Sequence, residues 1–337
     1  MGINIGKVKT RNRVFLAPMS GVTDEPFRLA AHSTGAGLVV SEMVASEELV
    51  RQRRDMVRRA KGARRLSPFA MQLAGREAHW MAEGAKLATD MGADIIDINM
   101  GCPARQVTGG LSGSALMRNI DHAITLVEAT VSNSGVPVTL KMRLGWDEKS
   151  LNAPELARRA QGAGVSMITV HGRTRCQFYK GRADWAAIRA VREAITIPLV
   201  ANGDLETAQD ARVMMQASGA DCVMIGRGAY GRPWLAGVIA NELETGSGIA
   251  APSLMQERDI LLAQMDATLS LYGDTLGNKT FRKHLGWTLD RLRQRALLSV
   301  ERLTELRRNL LPEIDNAKVR QGLLDVFAQI TDVQEAA

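Results

Sequence analysis

A (β/α)8 barrel of the α/β class, followed by an all-α helical bundle, is the fold this sequence predicts, and three observations predict it. Short apolar runs alternate with amphipathic stretches from the start to about residue 230. Strands that are apolar throughout and separated by helices imply a parallel sheet covered on both faces, and eight such units fit a closed barrel better than an open sheet. Polar residues follow each apolar run directly, as they do on the ligand-binding rim of such a barrel. After Pro233-Trp234 no strand pattern returns, and leucines recur at helical spacing.

The strand candidates, in order, are Val14–Ala17, Leu38–Val40, Phe69–Leu73, Ile95–Ile98, Val138–Met142, Met167–Val170, Leu199–Ala201 and Cys222–Ile225. Helical patterns fall between them at Pro26–Ser33, Glu77–Met91, Ala123–Ser132, Pro154–Ala163, Trp185–Ala194 and Thr207–Ser218. Glycines at Gly35, Gly92, Gly164 and Gly219 stand just before strands, where a helix C-terminus turns back to the sheet. These boundaries give a barrel over residues 1–244, a Gly/Ser/Pro linker over 245–253 and a helical domain over 254–332. The recurring Leu261, Met265, Leu269, Leu285, Leu289, Leu292, Leu303, Leu306, Leu310 and Leu323 read as the core of that second domain.

Charge narrows the partner. The formal net charge is +7, which favours an anionic ligand without saying anything of fold. Residues 279–308 hold nine Lys/Arg against three acids, and residues 51–65 hold eight against one. A single basic run is usually a solvated face; two of them beside one polar rim favour a polyanion. Three cysteines far apart in the chain make no disulfide framework and no CxxC metal pattern, so a reducing cytoplasm is expected and no metal. The N-terminus lacks a signal-peptide core, and no apolar run is long enough to span a membrane.

The rim residues carry the chemistry. They are Pro18-Met19-Ser20, Glu42, Gln72, Asn99 with Cys102, Lys141 with Arg143, His171 with Arg173, Asn202-Gly203-Asp204 and Gly226-Arg227. Glycines and a fixed cation after the last two strands make a phosphate site of the kind barrels place there. No P-loop or GxGxxG follows the first strand. A phosphate so held lays the rest of a cofactor over the barrel mouth. Gln72 and Asn99 could bond the polar edge of its ring, Lys141 could stabilise charge gained on reduction, and His171 could donate to a ring carbonyl. That set suits flavin mononucleotide, FMN. The plain alternative for Lys141 is a buried ion pair with Asp97 or Glu42.

Cys222, inside a strand, reads as inert core. Cys102 stands between Gly101 and Pro103 on a rim loop, with no second Cys or His at metal-ligand spacing. It is either a nucleophile, which wants a lowered pKa, or an acid, which must keep its proton.

At these residues the chain resembles the tRNA-dihydrouridine synthases, most closely their bacterial B-type branch. The resemblance rests on Ala17-Pro-Met-Ser-Gly-Val-Thr-Asp24, Met71-Gln-Leu73, Asp97-Ile-Asn-Met-Gly-Cys-Pro103, Leu140-Lys-Met-Arg143, Thr169-Val-His-Gly-Arg-Thr174, Asn202-Gly-Asp204 and Met224-Ile-Gly-Arg227, in that order. Ser20 stands where the family frequently has Ala. The resemblance implies an FMN-dependent oxidoreductase that reduces the C5–C6 double bond of a tRNA uracil, with NADPH reloading the flavin. By similarity Pro18, Met19, Ser20, Gln72, Lys141, His171, Asn202, Gly203, Asp204, Gly226 and Arg227 hold FMN. Cys102 is then the proton donor, and Asn99, Lys141, Arg143 and His171 surround the uracil. The helical tail looks like the family's RNA-binding domain, and the B-type likeness points to the D-loop, position 17 at most as a guess. Two other expectations compete: a flavin dehydrogenase of a free pyrimidine such as dihydroorotate, and a non-catalytic RNA-binding protein.

Overall fold

The computed structural model describes residues 1–62, 65–246 and 251–335. Arg64 of the first basic run and residues 247–250 of the expected linker lie outside the described residues. Eight parallel strands close into a barrel: β1 (Val14–Leu16), β2 (Leu38–Val40), β3 (Phe69–Ala74), β4 (Ile95–Met100), β5 (Val138–Arg143), β6 (Met167–His171), β7 (Leu199–Asn202) and β8 (Cys222–Ile225). Each pairs with its sequence neighbour, β2 pairs with β3, and β8 returns to β1 to complete the ring. A further two-residue strand, Val44–Ala45, extends the pairing of β3. The barrel helices are α1 (Glu25–Ser33), α2 (Ala78–Asp90), α3 (Ile120–Ser132), α4 (Ala153–Gly162), α5 (Arg189–Ala194), α6 (Ala208–Ser218) and α7 (Leu235–Thr245). In place of one helix, the segment between β2 and β3 carries two short ones, Ser46–Val50 and Arg54–Ala60.

Local chemistry sets these boundaries. Asp24 caps α1 through the Phe27 N–H, and Thr207 with Asp210 forms a reciprocal capping box on α6. Gly35, Gly92, Gly164 and Gly219 all have positive φ, which lets the chain reverse from helix to strand without a Cβ clash. The expected strands ended one or more residues early at β3, β4, β5, β6 and β7, and the first ran one residue past β1. Main-chain pairing carries those strands on through polar residues such as Asn99, Arg143, His171 and Asn202.

Phe15, Leu38, Ala70, Ile95, Met167, Val200, Cys222 and Met224 fill the barrel interior. An antiparallel hairpin that the sequence reading lacked, Asn4–Ile5 with Val8–Lys9, adds a fully buried Ile5 to that same cluster. It packs into the end of the barrel opposite the polar rim. Cys222 is fully buried there, and burial pushes its thiol far above the ordinary range, as expected of an inert core thiol.

The tail forms four helices, α8 (Leu254–Tyr272), α9 (Asp274–Gln294), α10 (Val300–Leu310) and α11 (Asn316–Glu335). Leu261, Met265, Phe281, Leu285, Leu289, Leu306, Leu310, Leu323 and Phe327 bury into a core of their own. Each such side chain contributes about 1.5–3 kcal/mol by leaving water. No described helix is long and apolar enough to cross a membrane.

Barrel and tail meet along a specific seam. Phe27 of α1 stacks on His284 of α9 at 5.2 Å, and Trp287 lies over Tyr230 at 3.9 Å with rings within 14° of parallel. Gly231 allows this approach: its φ is +70°, and a Cβ there would sit 2.6 Å from the Trp287 carbonyl oxygen. Arg291 donates to the Tyr230 carbonyl at 3.2 Å and pairs with Glu206.

Asp24 is nearly buried at this seam, and burial first, then the Glu42 charge, raises its carboxyl to about 6, against opposing pull from Arg28 and Lys283. A folded-state value above the ordinary 3.8 means the folded protein binds this proton more tightly than the unfolded chain. The associated stability is therefore fully present below pH 4 and is lost as pH rises through about 6. Asp24→Asn keeps the cap acceptor without the charge. It should stabilise the protein at pH 8 by on the order of 2 kcal/mol and flatten the profile between pH 4 and 6 in urea unfolding. A wild-type pH profile in that variant would contradict the assignment.

Candidate active site

The strand pairing places the polar residues on one rim in a fixed order. Gln72 lies opposite Asp97, Asn99 opposite Lys141, Arg143 opposite His171 and Asn202 opposite His171. A buried hydrogen-bond relay crosses β5, β4 and β3. Thr139 donates to Asp97 at 2.6 Å, Gln72 Nε2 donates to the other Asp97 oxygen at 2.7 Å, and Asn99 Nδ2 donates to Gln72 Oε1 at 2.7 Å. The Asn99 oxygen then accepts the N–H groups of Gly101 at 3.3 Å and Cys102 at 3.0 Å. Four side chains thus fix the backbone of Cys102. Asp97 and Thr139 anchor the relay, which the sequence reading missed because both look like strand interior.

Cys102 is held from its other side as well. Its carbonyl accepts the Ser114 N–H at 3.1 Å and the Ser114 hydroxyl at 2.8 Å, and Arg143 Nε donates to the Gly101 carbonyl at 2.8 Å. Burial pushes the Cys102 thiol above its ordinary value, while Arg143 and Lys141 pull only partly against it. The group therefore stays protonated at neutral pH. That is the condition for an acid and the wrong one for a nucleophile.

Arg143 is almost fully buried, and it donates to the carbonyls of Thr174 at 2.8 Å and Phe178 at 2.9 Å besides Gly101. Its Nε and Nη1 donors tie two rim loops together, so it positions them and lends charge to the site. Asn99 likewise has both ends of its amide engaged within the protein.

Lys141 does not form the ion pair considered for it: Asp97 is taken by Gln72 and Thr139, and Glu42 accepts the Gly21 N–H at 2.6 Å. The ammonium instead makes one hydrogen bond, to Asn202 Oδ1 at 3.1 Å. Burial, the largest cause, lowers it to about 8, although Asp97 favours its charge. A half-buried ammonium with donors to spare is poised for an electron-rich ligand. His171 is neutral: burial and then the charges of Arg143, Lys141, Arg173 and Arg227 hold it well below its ordinary value. Its Nε2 faces Arg173 Nη1 at 3.2 Å. A guanidinium cannot accept, so Nε2 is the acceptor and the proton sits on Nδ1, free to donate.

Arg173 is buried and forked onto Asp204, with one of its two bonds at 3.0 Å, and it also donates to the Lys180 and Gly181 carbonyls. Asp204 has φ +56° and also pairs with Arg227 at 3.3 Å, so one carboxylate orients both guanidiniums. Asn202 Nδ2 donates to the Met224 carbonyl at 2.9 Å, and the Gly203 carbonyl accepts from Trp185 at 2.8 Å. A Cβ at Gly226 would come no nearer than 3.9 Å to Met19 Sδ and 4.0 Å to the Ala17 Cβ, so the Gly226-Arg227 turn lies alongside the Ala17-Pro18-Met19 segment. The exposed Arg227 guanidinium beside these small residues, together with the unspent donors of Lys141, fits a phosphorylated aromatic cofactor. Tyr179 completes the rim without any motif to announce it, lying beneath Arg227 at 4.8 Å and Arg143 at 5.5 Å.

The rim geometry does not by itself name a family; the match to a family model does. The dihydrouridine synthase model matches residues 15–318. This chain belongs to the dihydrouridine synthase family. A probable tRNA-dihydrouridine synthase of Rhizobium leguminosarum bv. phaseoli is 60% identical over 84% of this chain and 87% of that protein. The tRNA-dihydrouridine synthase B of Xanthomonas axonopodis pv. citri is 46% identical over 85% of this chain and 86% of its own length. Among solved structures, histamine dehydrogenase from Rhizobium sp. 4-9 superposes with a TM-score of 0.54 at 13% identity, covering 79% of this chain and 50% of that one. The old yellow enzyme homologue of Zymomonas mobilis gives 0.50 at 13%, covering 76% of this chain and 95% of that one. Both share the barrel fold.

Proposed function

We propose that this protein is an FMN-dependent tRNA-dihydrouridine synthase that reduces the C5–C6 bond of a D-loop uridine with NADPH as reductant. The observation that carries the reading is Cys102: a free thiol kept protonated by burial and pinned on a rim loop by the relay from Asp97. When bound, FMN reduced by NADPH supplies the hydride that adds to C6. Lys141, His171, Asn202, Gly203, Asp204, Gln72, Gly226, Arg227 and the Pro18-Met19-Ser20 turn would hold that cofactor. Cys102 Sγ gives its proton to C5 as negative charge develops there, and the thiolate formed is stabilised by the nearby Arg143 and Lys141 charges. His171 Nδ1–H is placed to donate to a carbonyl, and Asn99 holds the thiol loop in register. The uracil must leave its stack to reach this rim.

The helical tail, residues 254–332, supplies RNA binding in this reading, with residues 1–244 as the catalytic barrel and 245–253 between them. Its basic run is less free than a count of charges suggests. Arg291, Arg295, Arg302 and Arg307 pair with Glu206, Glu257, Glu305 and Asp290, whereas Lys279, Arg293 and Arg308 have no such carboxylate among the described residues. In the other run Arg58 stacks on Tyr272 of α8 at 4.6 Å, so that run lies against the tail. Replacing Lys279, Arg293 and Arg308 together by Gln should lower the salt dependence of tRNA binding by about three in the log–log slope. An unchanged slope would exclude that face.

Nucleoside analysis of tRNA from a strain lacking this protein tests the activity itself: dihydrouridine made on adding the purified protein with NADPH supports it. Equal turnover of free uridine would move the assignment to a small-molecule dehydrogenase.

A further inference from the structure

Three consecutive rim loops converge on one indole outside the pocket. Trp146 lies just after β5; Arg118 closes the 3-10 turn Gly113–Arg118 in the loop after β4; Arg175 lies in the loop after β6. The Arg118 guanidinium carbon is 5.0 Å from the Trp146 ring centroid and that of Arg175 is 4.7 Å from it. Backbone bonds lock the arrangement: Arg175 N–H donates to the Gly145 carbonyl at 3.0 Å and Cys176 N–H to the Trp146 carbonyl at 2.9 Å. Among the described residues no carboxylate lies within ion-pair distance of either guanidinium, whereas Arg173 and Arg227 share Asp204 and Arg143 donates to three carbonyls. Arg175 Nε is sequestered from water with no partner, and its one side-chain bond is a long 3.5 Å contact to Thr108.

Two like charges held together on an aromatic ring, with no counter-ion, repel one another until an anion arrives. Asp204 neutralises Arg173 and Arg227 elsewhere on the rim; among the described residues no acid answers this pair. The turn that ends in Arg118 is the same one whose Ser114 bonds the Cys102 carbonyl, so the cation pair is tied to the loop that carries the reacting thiol.

We propose that Arg118 and Arg175, set by Trp146, grip the phosphates of the RNA strand next to the reacting uridine and so hold the extruded base over Cys102. This rests on the tRNA reading above. It assigns the catalytic barrel its own RNA contact, separate from the helical tail, and makes Trp146 a positioning residue that keeps two guanidiniums at a common site. A planar guanidinium on an aromatic face retains its in-plane donors for phosphate oxygens.

The test is tRNA binding across a salt series with Arg118→Gln, Arg175→Gln and the double variant. Each single change should weaken binding several-fold at about 0.1 M salt and lower the log–log salt slope by about one, and the double change by about two. Flavin reduction by NADPH, which needs no RNA, should stay at the wild-type rate in all three. Arg118 is exposed, so its substitution leaves folding intact and keeps the test open even if Arg175→Gln does not fold. Wild-type affinity and slope in the Arg118→Gln and double variants would overturn the proposal. So would a slower reaction with unchanged affinity, which would make the pair a brace for the thiol loop. Failure of the unaltered protein to bind or modify tRNA would instead sink the activity reading.

Discussion

Replacing Cys102 with alanine should slow dihydrouridine formation by about 10²–10⁴-fold while leaving NADPH-dependent flavin reduction unchanged. The size follows from losing a positioned acid whose geometry is fixed by four side chains and the Ser114 bonds. Serine would keep the position but hold its proton too tightly, so Cys102→Ser should recover little of the loss. The pH dependence has a definite sign. The protonated thiol is the active form, and burial raises it above its ordinary value of 9.0, so the rate should hold level through neutrality and fall only on the alkaline side. Single-turnover rates with pre-reduced enzyme and tRNA measure this directly. A Cys102→Ala protein at the wild-type rate would remove the thiol from the mechanism.

Lys141→Met should weaken FMN binding by about 10- to 150-fold, the equivalent of about 1.5–3 kcal/mol for a charged hydrogen bond. It should also lower the flavin reduction potential, because a buried positive charge favours the electron-rich reduced form. The free ammonium titrates near 8, so its contribution to binding is present below that pH and declines as pH rises through it. An anionic or electron-rich ligand moves the decline upward. Met fills the same volume, which separates the loss of charge from a packing defect. Flavin fluorescence on release reports affinity, and a dye-equilibration titration reports potential. Wild-type values of both in this variant would place the cofactor's ring away from Lys141.

How much of this was legible beforehand can be seen strand by strand. All eight barrel strands were read from apolar runs, since a strand buried on both faces needs no alternation to announce itself. The last residues of β5, β6 and β7 were not read, because Arg143, His171 and Asn202 look like loop in composition and are held in strands by pairing alone. The Asn4–Lys9 hairpin and helix α7 escaped too, the first for want of length and the second because no cap or turn signal marks its start. The expected rim residues stand at the carboxyl ends of the barrel strands or in the loops that follow them. Their partners were not readable: nothing in the chain says that Asn99 faces the Cys102 N–H, that Arg143 serves three carbonyls, or that Asp97 belongs to a relay. Those links depend on side-chain direction across neighbouring strands, which register fixes only after the barrel closes. Charge counting failed in the same way on the tail, where three of the nine basic residues answer acids brought near by folding and a fourth, Arg302, pairs with Glu305 one turn along its own helix.

The most direct measurement of the central claim is the absorbance of the purified protein between about 350 and 500 nm, followed anaerobically through addition of NADPH and then of unmodified tRNA. Bands that bleach with NADPH and return only when tRNA is added are the predicted result, tying flavin, reductant and substrate to one site. Bands that return equally with free uridine, or no bands even after reconstitution with FMN, would contradict it.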